Sequence, residues 1–378
     1  MKKLFNLSEE ITFLNFGSFG ATPKSILEKQ IEFIREMEKD PVHFIVEKGP
    51  LLLEKSKIAL GDFLHCNPED LVFITNPTYG MNLIIKNLNL PPQSEVLTTN
   101  LEYGAMDYTW EYYAEIHHFK YVKSEISLPI KDKSSFLADF WKLYSEKTKA
   151  IFISHITSVT GLILPIEEII HEARKRNLLI IIDGAHAPGQ IPLNLTQLDP
   201  DFYVGACHKW MMNPKGSSFI YVKKSFQEQL DPLVISWGFA PENREKKHFQ
   251  DYHQFNGTRD YTAFLTIPES IDFRKRYEWE NLTQQAHHVG MNFLTQITQA
   301  LNTKPLAPLD RDFYGQLFSF ECPMRDPIEL KNILYKEFRI QIPVMIQHEK
   351  LYIRYSMQPF NDLRDLERLK QSLLQIFR

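Results

Sequence analysis

The chain is poor in cysteine. Cys66, Cys207 and Cys322 are the three it has in 378 residues, odd in number and widely spaced. That excludes a disulfide framework and fits a reducing compartment. Long apolar runs are missing as well: the longest, such as Leu178 to Ile182, are strand-sized. In the opening MKKLFNLSEEITFLNF, Ser8, Glu9 and Glu10 interrupt what could have been a signal-peptide core. Neither a secretory leader nor a membrane span is expected, and the chain reads as cytoplasmic. It also lacks an excess of one charge. Its 43 basic and 47 acidic residues leave −4, with no basic stripe, so nucleic acid and anionic membrane are not expected partners. No GxGxxG and no Walker loop occurs, which leaves nucleotide binding without support. HExxH is absent, and the pairs His117-His118 and His287-His288 would point to different faces of a helix, so no metal site is expected.

What is present is an ordinary globular composition, 43% hydrophobic and 24% charged. Compact apolar runs predict strands at Leu71–Ile74, Glu95–Thr98, Phe119–Val122, Ala150–Ser154, Leu178–Asp183, Phe202–Val204 and Ser218–Val222. Amphipathic stretches between them predict helices at Tyr79–Asn87, Tyr103–Ile116, Phe136–Glu146 and Ile166–Lys175. Such alternation implies an α/β fold with a mainly parallel seven-stranded sheet flanked by helices. After Ile267 the texture changes. Charged helices at Pro268–Trp279 and Asn281–Leu301 precede strands near Phe313–Phe320, Ile340–Val344 and Leu351–Tyr355, then a helix over Asp362–Ile376. The expected division is a large domain over 18–265 and a smaller α+β domain from 1–17 and 266–378.

Ligands of open α/β sheets bind beyond the carboxyl ends of the strands. Three features fall there. Asp183 closes the run Leu-Leu-Ile-Ile-Ile, and Gly-Ala-His-Ala-Pro-Gly follows, packing small residues around His186. An aspartate at such a point also suits a turn or a helix cap, and a lone histidine is more often a bonded core residue. Lys209 comes 209 − 183 = 26 residues later, after Phe202-Tyr203-Val204-Gly205 and flanked by Ala206, Trp210, Met211 and Met212. A lysine so placed can snorkel beside an apolar patch. Desolvated, it becomes an amine nucleophile able to form a Schiff base. The third feature, Asn76-Pro77-Thr78-Tyr79-Gly80-Met81-Asn82, turns from a strand into a helix. Thr78 suits an N-cap there, and the helix start suits a phosphate. Together the three supply what pyridoxal phosphate requires: an imine lysine, a carboxylate for the ring nitrogen and a phosphate seat.

The chain resembles the class V aminotransferases among fold-type I pyridoxal phosphate enzymes, and within them the isopenicillin N epimerase-like group. The markers are Phe13 to Gly20, Asn76 to Asn82, Thr98 to Ala105 and Ser154 to Ser158. Further ones are Asp183 to Gly189, Cys207-His208-Lys209-Trp210, Gly257-Thr258-Arg259-Asp260 and Arg354-Tyr355-Ser356. The resemblance implies that Lys209 carries the cofactor as an imine and that Asp183 pairs with its ring nitrogen, with His186 beside them. Tyr103 falls where relatives stack an aromatic ring on the cofactor. Its alternative is a helix-start aromatic packed into the core. Pro77, Thr78 and His208 are implied at the phosphate, Ser158 at the phenolic oxygen, and Thr258 at the phosphate across a homodimer interface. Arg354 is implied to take the substrate carboxylate, with Asn15, Ser18 and Phe19 near the substrate. For Arg354 the plainer alternative is a surface salt bridge.

Departures accompany the likeness. His186 stands where desulfurases of the branch carry glutamine, Ser158 where they carry asparagine, and Ala206 where a phosphate-binding serine is frequent. The implied activity is on an amino acid, sulfur-containing ones included, through an external aldimine and a Cα carbanion. Epimerisation, β-elimination (C–S lyase chemistry) and transamination share that carbanion. Persulfide-forming desulfuration is disfavoured, since no cysteine lies between Cys322 and the Arg354 strand. A non-catalytic binding protein of the same fold is the alternative of another class. It predicts loss of the lysine or the aspartate, and both are present.

Overall fold

Short runs of Val, Ile, Leu and Phe form the strands, because a strand buried on both faces has no polar side to show. The computed structural model describes residues 1–240 and 249–377. A two-residue strand, β1 (Thr12–Phe13), comes first. The main sheet then takes β2 (Leu71–Ile74), β3 (Glu95–Thr99), β4 (Lys120–Ser124), β5 (Thr148–Ser154), β6 (Leu179–Gly184), β7 (Phe202–Ala206) and β8 (Ser218–Val222). Its order is β2-β8-β7-β6-β5-β3-β4. The strands from β4 to β7 pair in parallel, and β8 runs antiparallel to both β7 and β2. Seven strands, mainly parallel, are what the sequence predicts. Alternate side chains divide between two cores. Ile151, Ile153, Ile180 and Ile182 enter one, while Phe152, Ile181, Phe202 and Val204 enter the other.

The crossover helices run over Pro77–Lys86, Gly104–His117, Lys133–Trp141 and Ile166–Lys175. The third begins earlier than expected, because Asp132 and Ser135 form a capping box. Two further helices, Lys24–Lys39 and Gly49–Leu64, precede the first predicted strand and carry no counterpart in the sequence reading.

Beyond the helices Ile267–Arg276 and Trp279–Ala300 lies a second sheet, antiparallel, of β9 (Leu317–Cys322), β11 (Val344–Gln347) and β12 (Lys350–Ser356). The short β10 (Ile340–Gln341) pairs in parallel with β1, so the N-terminal segment joins the C-terminal part. The single strand expected over Ile340–Val344 is thus two. Ile342 and Pro343 separate them, and proline has no N–H to give to a ladder. The strand expected near Phe313 starts only at Leu317. Among the described residues no helix is long and apolar enough to cross a membrane. The register fixes the site: Ser154 lies opposite Asp183, Asp183 opposite Val204 and Gly184 opposite Gly205. Three neighbouring parallel strands therefore deliver their last residues to one edge.

Candidate active site

Asp183 is the penultimate residue of β6 and is buried, with Oδ1 accepting from the Ala185 N–H at 2.9 Å. Burial raises its pKa, against the pull of that hydrogen bond and of the Lys209 charge. Lys209 follows β7 in an irregular turn and is only partly exposed. Desolvation lowers its amine to about 8, more than Asp183 holds it up, and Arg354 pushes the same way as burial. Its Nζ lies 3.3 Å from His186 Nε2. His186 is held well below the usual imidazole range by burial first, then by the charges of Lys209, Arg354 and His208. A desolvated amine that loses its proton near neutrality, beside a neutral imidazole and a carboxylate, is a competent nucleophile.

The turn owes its course to close backbone approaches. At Gly20 φ is +65°, and a Cβ there would stand 2.1 Å from the His208 carbonyl oxygen. Glycine alone lets the segment Asn15–Gly20 press onto the lysine turn. That segment leads to Arg354, on β12. Its Nη2 donates to Ser18 Oγ at 3.2 Å, and Ser18 Oγ donates to Asn15 Oδ1 at 2.5 Å. Nη1 donates to the Ser158 carbonyl and reaches Ser158 Oγ at 3.4 Å. Arg354 is buried, its Nε has no partner, and no acidic side chain pairs with it among the described residues. The surface salt bridge offered as its plainer role is overturned. A buried guanidinium without a counter-ion is a seat for an anion.

Asp183, His186, Lys209, Arg354, Ser158, Ser18 and Asn15 thus converge. Burial lowers the Arg354 pKa to about 10, and Tyr103, at the N-cap of Gly104–His117 and 46% exposed, is close enough to oppose part of that shift. It does not pack into the core. Phe19 is 70% exposed and, with Asn15, lines a cleft of about 880 Å³ that also takes in Lys215 and Tyr335. At the start of Pro77–Lys86 the cap is Asn76, whose Oδ1 accepts from Tyr79 N at 2.9 Å. Thr78 is not the cap. It follows Pro77 in the first turn, where its hydroxyl is free of capping duty. His208 Nδ1 faces the Ser217 carbonyl at 2.9 Å, and burial lowers its pKa to about 4. A carbonyl only accepts, so Nδ1 carries the proton and Nε2 is an acceptor. As a phosphate ligand His208 must first take a proton. Thr258 is exposed on its own chain, and no hydrogen bond joins it to the other site residues among the described residues.

Glu102, within the marker Thr98 to Ala105, was given no role by the sequence. It is fully buried three residues beyond β3, accepting from Thr99 Oγ1 at 2.7 Å and from Ser154 N and Oγ at 2.9 and 2.6 Å. Desolvation, with Asp183 among the nearby charges, raises it to about 8. The available signal was a carboxylate just past a strand end, the position that singled out Asp183.

Fold and site define a class: an α/β protein with a lysine amine and a carboxylate at the ends of neighbouring parallel strands and a buried, anion-seeking arginine. The chain belongs to the aminotransferase class-V family, whose model matches residues 20–369. It is 29% identical to the isopenicillin N epimerase of Streptomyces clavuligerus over 97% of this chain and 95% of that protein. Identity to the hercynylcysteine sulfoxide lyase of Schizosaccharomyces pombe is 25%, over 94% and 92% of the two chains. Among solved structures, the C-DES mutant with glycine covalently linked to its pyridoxal phosphate cofactor shares the fold, with a TM-score of 0.82, 20% identity and 99% of both chains covered.

Proposed function

We propose that this protein is a pyridoxal phosphate enzyme acting on an amino acid at Cα, by epimerase or C–S lyase chemistry. The observation that carries the reading is the juxtaposition of a desolvated lysine, a buried carboxylate and an uncompensated buried arginine at one sheet edge. These residues fit the cofactor: Lys209 to carry it, Asp183 to pair with its ring nitrogen, and the start of Pro77–Lys86 with Thr78 to seat its phosphate. Pyridoxal phosphate, when bound, supplies an electron sink that acidifies the Cα–H of an amino acid joined to it.

The chain's own groups do the rest. Arg354 binds the substrate carboxylate through its fork and sets which bond faces Lys209. Lys209, released as a free amine, takes the Cα proton on one face and can return it. Tyr103, exposed and near Arg354, is the group nearest to hand for the opposite face, which epimerisation requires. β-Elimination needs Lys209 alone together with room for a leaving thiol or sulfenate. All three thiols are held protonated by burial, Cys66 and Cys322 at about 12 and Cys207 higher still. None offers a mobile thiolate to take up sulfur, which favours these routes over persulfide formation. The protein is proposed to act as a homodimer, with Thr258, exposed on its own chain, reaching the phosphate seat of the second copy.

The test is a screen of amino acids and cysteine conjugates with the holoenzyme in deuterated water. Inversion with Cα deuteration marks an epimerase, and pyruvate with a released thiol or sulfenate marks a lyase. Accumulated pyridoxamine phosphate in place of either would move the protein to the transaminases.

A further inference from the structure

The residue after the lysine has a place in the site that its apolar character conceals. Trp210 is fully buried against Phe16, ring centroids 5.4 Å apart. Its Nε1 lies 3.3 Å from His186 Nδ1, and on the other side of that ring His186 Nε2 lies 3.3 Å from Lys209 Nζ. An indole N–H can only donate, so His186 Nδ1 accepts and, in a neutral ring, the proton sits on Nε2. That Nε2–H points at the lysine. Two donors cannot share one hydrogen bond, so the contact is made by an amine with a free lone pair and opposed by an ammonium.

We propose that Trp210 is a positioning residue: its indole N–H fixes His186 in the Nε2–H tautomer, so that the imidazole donates to Lys209 and favours the unprotonated, nucleophilic amine. The backbone around Trp210 is built to hold this alignment. Arg274 Nη1 donates to the Trp210 carbonyl at 3.0 Å, Ser270 Oγ donates to the Met211 carbonyl, and Thr266 Oγ1 accepts from Asn213 Nδ2 at 3.2 Å. Thr266 caps the helix Ile267–Arg276, and Ser270 and Arg274 follow at spacings of four, so the cap and one face of that helix meet the turn. The turn is irregular and buried, and its carbonyls would otherwise lie without partners in the core. Other charged groups near the pair are Asp183 near the end of β6 and Arg354 on β12, and the titratable His208 lies in the turn itself. Asp183 favours the ammonium and Arg354 opposes it. The tautomer decides what His186 adds.

The inference rests on the reading of Lys209 as the reacting amine, yet its test does not require turnover. Histidine-labelled apoprotein gives a nitrogen NMR spectrum in which each tautomer has its own pattern, with His186 assigned by its loss in His186→Gln. The expected pattern for the unmutated protein at pH 7 is a neutral ring protonated at Nε2. An imidazolium, or a proton on Nδ1, overturns the proposal. Trp210→Phe keeps an aromatic ring against Phe16 and removes the donor. In that variant the tautomers should mix, and the pH midpoint for imine formation between apoprotein and pyridoxal phosphate should rise by about one unit. A folded Trp210→Phe with unchanged tautomer and midpoint also overturns it. Should the variant fail to fold, the unmutated spectrum still decides. Absence of any imine at Lys209, with the tautomer as expected, would instead count against the function proposed above.

Discussion

Arg354 and Glu102 are two buried charges with opposite fates. Among the described residues Arg354 has hydroxyl and carbonyl partners but no carboxylate, so its charge awaits a ligand. Arg354→Lys keeps the charge and loses the fork. KM for an amino-acid substrate should rise roughly 10- to 100-fold, a loss of about 1.5–3 kcal/mol in charged hydrogen bonding. An amine substrate without a carboxylate should be indifferent to the change. Glu102 has three donors yet is pushed to about 8 by desolvation, from an ordinary value of 4.5. A raised carboxyl pKa means the folded state holds a proton that the unfolded state releases. Its stabilising effect is complete below about 4.5 and is lost as pH rises toward 8, on the order of a few kcal/mol. In Glu102→Gln the amide oxygen can face Ser154 and the amide nitrogen Thr99. Thermal unfolding of this variant should therefore change less between pH 5 and 8 than that of the unmutated protein. Parallel curves would show that Glu102 does not titrate in that window.

At the scale of elements, the strands were legible and the sites of their joining less so. Runs such as Leu-Leu-Ile-Ile-Ile can be little but buried strand, and β2 and β8 match their predicted bounds residue for residue. The helices Lys24–Lys39 and Gly49–Leu64 escaped notice because their character is set by packing. The first is rich in Glu and Lys, and of its residues Ile26 and Met37 alone are buried. Asp183 and Lys209 could be read because a strand end is a defined place. The unpaired state of Arg354 could not, since a counter-ion is a fact of three dimensions. The cap of Pro77–Lys86 turns on one residue: Asn76, and not Thr78, accepts from the backbone. Asn76→Ala should lower stability by about 1 kcal/mol, measured by denaturant unfolding, while Thr78→Ala should cost far less. Equal losses from the two would place Thr78 back in the cap.

For the whole molecule, the consequence of the proposed dimer is that each site draws on both chains. Thr258 shows no hydrogen bond to the site residues of its own chain. A hybrid of one Lys209→Ala chain and one Thr258→Ala chain would then hold one site with both defects and one with neither. Each hybrid dimer should then carry up to half of the unmutated activity, so subunit exchange should raise the activity of the mixture above the mean of its two parents. No recovery on verified subunit exchange would mean that Thr258 serves its own chain.

The functional reading depends on one bond to one atom. Borohydride reduction of the holoprotein followed by peptide mass mapping should place a single pyridoxyl group on Lys209, with the chromophore lost in step. Label on another lysine, or none on a protein that retains its fold, would contradict the assignment on which the site and its chemistry rest.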